Sequence, residues 1–175
     1  MNANSVVFLD RDGVINELVM RDASMVSPRL FSEFKMCDGA AEAIKSLIHA
    51  GCELVVVTNQ PDISRKKMLQ SELNKMTEAL LAMGIHKVVI CPHSDDDFCK
   101  CRKPKPGMLK DHLTVRSIDP QKIWMIGDRE SDIAAGKSVG ATTIFLSATS
   151  EHNKIDSDYY CKSLNRAAEI ILREI

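Results

Sequence analysis

A chain of 175 residues with 23 Lys or Arg against 24 Asp or Glu carries a formal charge of −1, which fits one domain and leaves no basic surplus for electrostatic nucleic-acid binding. Apolar residues make up 45 %, enough for a packed core, and runs such as Leu54 to Val57 are too short to span a bilayer. Residues 1–12 carry no basic stretch leading into an apolar one, so a cytoplasmic protein is expected, its six cysteines serving as free thiols or metal ligands rather than disulfides.

In chain order, Ser5–Leu9 reads as a buried strand. Residues 38–50 read as a helix, with Asp38 as N-cap, Ala40, Ile44, Leu47 and Ile48 on its apolar face and Gly51 past its end. Glu53–Val57 is the second strand. The spacing of Leu69, Leu73, Met76 and Leu80 predicts a helix over 65–83, closed by Gly84. Lys87–Ile90 is the third strand, and Pro106 suits the first turn of a further helix. Ile123–Ile126 forms the fourth strand, followed by a helix from about 131 to 139, a fifth strand at Thr142–Leu146 and a closing helix over 163–173. The polar segment 147–162 has no readable chemistry.

Strands alternating with helices argue for an α/β fold, a mostly parallel sheet with helices on both faces. The strands lack polar alternation, as expected when both faces are covered. Right-handed crossovers place all the strand ends at one edge, where ligands bind. Asp10, Asp12 and Gly13 follow the first strand, Thr58, Asn59 and Gln60 the second, and Asp128 the fourth, with Asp132 one helical turn later. Asp10, Asp12 and Asp128 make a hard, oxygen-rich site suited to Mg²⁺, and three close carboxylates repel unless a cation sits among them. One carboxylate can accept a phosphoryl group while a second, two residues on, serves as acid and base. Arg102 and Lys103 are candidates to neutralise the phosphoryl oxygens. Alternation would turn Arg11 away from its neighbouring carboxylates.

Phe8-Leu-Asp-Arg-Asp-Gly13, Thr58-Asn-Gln60, Arg102-Lys-Pro104 and Gly127-Asp-Arg-Glu-Ser-Asp132 together resemble the four motifs of the haloacid dehalogenase (HAD) superfamily of phosphatases. The resemblance implies a Rossmann-like fold, Asp10 as nucleophile, Asp12 as general acid and base, Thr58 on the phosphoryl group and Lys103 on its charge. It further implies Mg²⁺ held by Asp10, Asp12 through its backbone carbonyl, and Asp128, with Asp132 in support. Asn59, Gln60 and Arg102 are the candidates for substrate contact.

Cys91, His93, Cys99 and Cys101 offer three thiols and one imidazole in a compact loop, the ligand set of a closed tetrahedral zinc site. A closed site leaves no position for substrate, so the zinc is expected to be structural, fixing the loop that presents Arg102 and Lys103. Asp95, Asp96 and Asp97 read as a solvated loop tip. The pattern Cys-Pro-His through Cys-Arg-Lys-Pro resembles the heptose 1,7-bisphosphate 7-phosphatase branch and its relative, the histidinol-phosphate phosphatases. The heptose branch is favoured by Phe8 to Asn16 and Lys105 to Leu109. The five residues between His93 and Cys99 lean toward the histidinol branch. A polynucleotide 3′-phosphatase is the more distant alternative.

Residues 59–86 leave room for one helix and no cap domain, and 14–37 for a short flap. The expectation is therefore a single capless domain over residues 1–175, a monomer acting on a small phosphorylated sugar or metabolite without membrane or nucleic-acid partners. The heptose branch would place it in lipopolysaccharide-precursor synthesis. His49, His86, His112 and His152 are expected at the surface or at helix ends, and Cys37, Cys52 and Cys161 as structural thiols.

Overall fold

The computed structural model describes residues 5–114, 119–147 and 155–175. Among the described residues, eight strands and five α-helices follow one another: β1 Ser5–Leu9, β2 Val19–Arg21, β3 Ser24–Val26, α1 Ala40–His49, β4 Cys52–Asn59, α2 Gln70–Ala82, β5 Lys87–Cys91, α3 Gly107–Leu113, β6 Ile123–Gly127, α4 Glu130–Lys137, β7 Thr142–Leu146, β8 Tyr159–Cys161 and α5 Leu164–Glu174. Six of the strands form one sheet in the order β5-β4-β1-β6-β7-β8. Every neighbouring pair in it is parallel.

The sheet divides the core in two, because successive strand residues point to opposite faces. Val7 and Leu9 of β1 pack with Leu54, Val56, Ile126 and Ile144 beneath α1 and α5. Val6 and Phe8 pack with Val55, Val57 and Met125 on the other face, against Met108 and Leu109 of α3 and Ala135 of α4. Both faces are thus covered, which is why these strands are apolar throughout. β1 lies inside the sheet between β4 and β6, so the residues that follow these three strands open side by side onto one sheet edge. Among the described residues no helix is long and apolar enough to cross a membrane.

Two local expectations are corrected, and two segments for which no element was expected gain strands. The first helix is capped by Gly39, at φ 73°, rather than by Asp38. The second helix begins at Gln70, not near residue 65: Lys66 adopts a left-handed backbone at φ 57°, and the Asp62 carbonyl takes the N–H groups of Lys67 and Met68 instead. Leu69 consequently stands outside the helix and is exposed. The flap contains the β2–β3 hairpin. Within 147–162, β8 adds a sixth strand beside β7; residues 148–154 lie outside the described part, as does His152.

Candidate active site

A cleft of about 590 Å³ opens at the carboxyl edge of β1 and β4, and Asp10, Asp12, Thr58, Asn59, Gln60, Arg102, Lys103 and Asp132 all line it. β1 ends at Leu9, and the chain turns sharply because the Arg11 carbonyl accepts from the N–H groups of Val14, Ile15 and Asn16. Gly13 sits in this turn at φ 87°, and a Cβ there would lie 2.3 Å from Asp128 Oδ2. Only glycine lets the Asp128 carboxylate come so close to the first loop.

Lys103 is buried at the centre of the site. Its ammonium donates to Asp10 Oδ1 at 2.6 Å and to the Val57 carbonyl at 2.6 Å, and it pairs with Asp132 Oδ1 at 2.8 Å. Burial opposes its charge, but the Asp10 and Asp132 carboxylates outweigh burial and push Lys103 up to about 12. Asp132 therefore touches Lys103 directly, and its other oxygen caps α4 through the Arg129 N–H at 3.0 Å. Asn59 clamps the same lysine from outside: its amide donates to the Lys103 carbonyl at 3.0 Å and accepts from the Lys103 N–H at 3.1 Å. Both ends of that carboxamide are engaged, which suits Asn59 to positioning Lys103 rather than to reaching substrate.

Protein donors surround the Asp12 carboxyl group. Its carboxylate accepts from Arg11 Nε and Nη2 at 3.0 Å each, from Asn16 Nδ2 at 3.0 Å and from Gln60 Nε2 at 2.7 Å. The expectation for Arg11 is overturned. It is 1 % exposed and lies bidentate against Asp12, with its guanidinium 5.8 Å from the Phe34 ring centre. Strand alternation does not apply there, because the strand has already ended. Gln60 also donates to Thr58 Oγ1 at 2.8 Å, so it orients two site residues at once.

The carboxylates of Asp10, Asp128 and Asp132 present oxygens within 4.8 Å of one another. Burial, only partly offset by Lys103 and reinforced by the nearby aspartates, pushes Asp10 up to about 7. Burial and Asp132 push Asp128 to about 6. Asp128 Oδ1 is buried with no hydrogen-bond partner. An orphaned carboxylate oxygen among hard donors, in a site with excess negative charge, fits a small divalent cation such as Mg²⁺.

The four soft donors also converge. Cys91 Sγ lies 3.6 Å from His93 Nδ1, 3.7 Å from Cys99 Sγ and 3.3 Å from Cys101 Sγ, and His93 Nδ1 lies 3.2 Å from Cys101 Sγ. The edges of a tetrahedron built on zinc bond lengths are about 3.5–3.8 Å, whereas a disulfide would need about 2.0 Å between sulfurs. The cluster can hold zinc, and Lys103 follows it by two residues.

Arg102 lines the cleft but is not free. Asp95 accepts from its Nε at 2.7 Å, and the His93 carbonyl from its Nη1 at 3.3 Å. Asp95, Asp96 and Asp97 are exposed, as a solvated loop tip should be, and Asp95 in addition pairs with Arg102. His112 is buried, and both it and His86 face Glu53 Oε1, at 3.1 and 3.2 Å. His86 is exposed, as expected, and His112 stands in the last turn of α3 but is buried there.

A HAD-hydrolase-like family model matches residues 100–167. A D-glycero-beta-D-manno-heptose-1,7-bisphosphate 7-phosphatase of Pseudomonas putida is 35 % identical over 147 residues, covering 81 % of each chain. The chain belongs to the HAD-like hydrolase family. It is, as a member, a phosphoric monoester hydrolase. The Helicobacter pylori 7-phosphatase is 29 % identical and matches 98 % of this chain and 99 % of its own. The solved D,D-heptose 1,7-bisphosphate phosphatase of B. bronchiseptica, complexed with magnesium and phosphate, superposes with a TM-score of 0.82 at 30 % identity, covering 98 % of this chain and 99 % of that one. The six-stranded sheet is thus a HAD-like fold. Sequence reasoning missed Arg11 and Asn16 on Asp12; the signal was present in their position beside the two aspartates, in a turn rather than a strand.

Proposed function

We propose that this HAD-like hydrolase removes the 7-phosphate of D-glycero-D-manno-heptose 1,7-bisphosphate through an aspartyl-phosphate on Asp10. One observation carries the chemistry: Asp10 faces the cleft with a buried lysine on one oxygen and Asp12 two residues on. A carboxylate oxygen of Asp10 attacks phosphorus, and the bond from phosphorus to the sugar oxygen breaks. Asp12 gives that oxygen its proton, then takes one from the water that attacks the aspartyl-phosphate, releasing inorganic phosphate and restoring Asp10. Thr58 accepts from Gln60 and so keeps its own O–H for a phosphoryl oxygen. Lys103 balances charge that builds on the transferring group.

Mg²⁺ would be held by Asp10, Asp128 and the Asp12 carbonyl, and would neutralise phosphoryl charge. Zinc would be held by Cys91, His93, Cys99 and Cys101 and would fix the loop ahead of Lys103. The choice of the heptose rests on the relatives, which share that substrate name across most of their length. In this reading the enzyme works as a cytoplasmic monomer in the synthesis of a surface-carbohydrate precursor.

The test is phosphate release with Mg²⁺ from heptose 1,7-bisphosphate, histidinol phosphate and a 3′-phosphorylated oligonucleotide. A kcat/KM at least about a hundredfold higher for the heptose is expected, a difference of roughly 3 kcal/mol in transition-state binding. A preference for histidinol phosphate would mean the short zinc loop is the better guide to substrate.

A further inference from the structure

Five charged side chains alternate in sign along one wall of the cleft: Arg29, Asp62, Arg65, Asp95 and Arg102. Arg29 Nε lies 2.6 Å from Asp62 Oδ2. Arg65 stands between the two carboxylates, 3.9 Å from an oxygen of each. Arg102 closes the row on Asp95, with Nε at 2.7 Å from one oxygen and Nη2 at 3.4 Å from the other. Three guanidinium groups thus face two carboxylates along the cleft.

The two carboxylates are not equivalent. The Asp62 side chain is 15 % exposed and is tied to Arg29 on the flap, whereas the Asp95 side chain is 74 % exposed. An ion pair so open to water is weak and is exchanged easily for a better anion. Arg102 would keep its place when Asp95 leaves, because it also donates to the His93 carbonyl and its own N–H reaches Cys99 Sγ at 3.4 Å. A phosphate offers the guanidinium fork two oxygens and more charge than a carboxylate.

We propose that Asp95 is a specificity-determining placeholder, its carboxylate occupying on Arg102 and Arg65 the position that the second phosphate of a bisphosphate substrate takes over. The inference rests on the bisphosphate reading given above. It follows that a substrate with an anionic far end must displace Asp95, so its apparent affinity is reduced by the fraction of enzyme in which the pair is closed. A substrate with a neutral far end neither displaces Asp95 nor gains from Arg102.

The test compares heptose 1,7-bisphosphate with heptose 7-phosphate, which carries the same scissile group, on wild type and Asp95→Asn at one pH. The expected result is a KM for the bisphosphate lowered about two- to fivefold, with KM for the monophosphate and both kcat values held. Zinc content and melting temperature are measured on the same samples, and a purely structural role for Asp95 would move these or both KM values together. In an Arg65→Ala/Arg102→Ala background, Asp95→Asn is expected to have no effect on KM. A wild type that prefers the bisphosphate, combined with an Asp95→Asn KM for it that is unchanged or raised, would overturn the placeholder alone. A wild type indifferent to the second phosphate would overturn the bisphosphate reading and the placeholder with it.

Discussion

Asp10 and Asp128 set the pH behaviour of the site. Their folded values, about 7 and about 6, both lie above the ordinary 3.8 of an unfolded aspartate. Between roughly pH 4 and 7 these two groups hold more protons in the folded protein than in the unfolded chain, so their contribution to stability falls as pH rises through that window. A divalent cation among these carboxylates reverses the penalty by favouring their charged forms. The increase in denaturation midpoint on adding Mg²⁺ is expected to be larger at pH 7 than at pH 5; an increment independent of pH would contradict the carboxylate site. Asn59 carries a second prediction. Asn59→Ala removes both clamps on the Lys103 backbone, and kcat is expected to fall about 10- to 100-fold with little loss of stability, since small displacements of a catalytic group cost that much. Arg11→Met should instead lower stability by roughly 3 kcal/mol in chemical denaturation, because it takes the guanidinium partner from a buried carboxylate.

The elements show where sequence reasoning reached and where it stopped. The positions of β1, β4, β5, β6, β7 and the helices were legible, because buried parallel strands leave continuous apolar runs and amphipathic helices leave a 3.6-residue period. The start of α2 was not. Residues such as Arg65, Lys66 and Lys67 favour helix in isolation, yet the Arg29–Asp62 pair and the left-handed Lys66 hold that stretch as a turn against the flap. β8 was missed because three residues, Tyr159–Cys161, are too few for periodicity and find their partner only in β7. The cysteine loop was legible from ligand type alone. It makes a prediction of its own: metal analysis should find about one zinc per chain, and Cys101→Ser should lower both zinc content and melting temperature. Activity should fall with them, as Lys103 lies just beyond the loop. Unchanged stability after zinc removal would reduce the cluster to four unlinked side chains.

At the scale of the whole molecule, the sheet order puts β1 and β4 side by side, and that adjacency brings Asp10, Asp12 and Thr58 into one cleft from separate stretches of sequence. The sequence placed each of these residues at a strand end, and the fold class then implied that the ends share an edge. What it could not indicate was the set of supporting contacts, such as Gln60 on Asp12 or Asp132 on Lys103, since these depend on side-chain reach across the edge. The central claim is that this edge transfers a phosphoryl group to Asp10. It is tested most directly by rapid acid quenching of turnover on heptose 1,7-bisphosphate labelled in the 7-phosphoryl group. The account predicts label on the protein that resists acid, is released by hydroxylamine and is absent from Asp10→Asn. Turnover with no label ever carried by the protein, or equal labelling of Asp10→Asn, would contradict it.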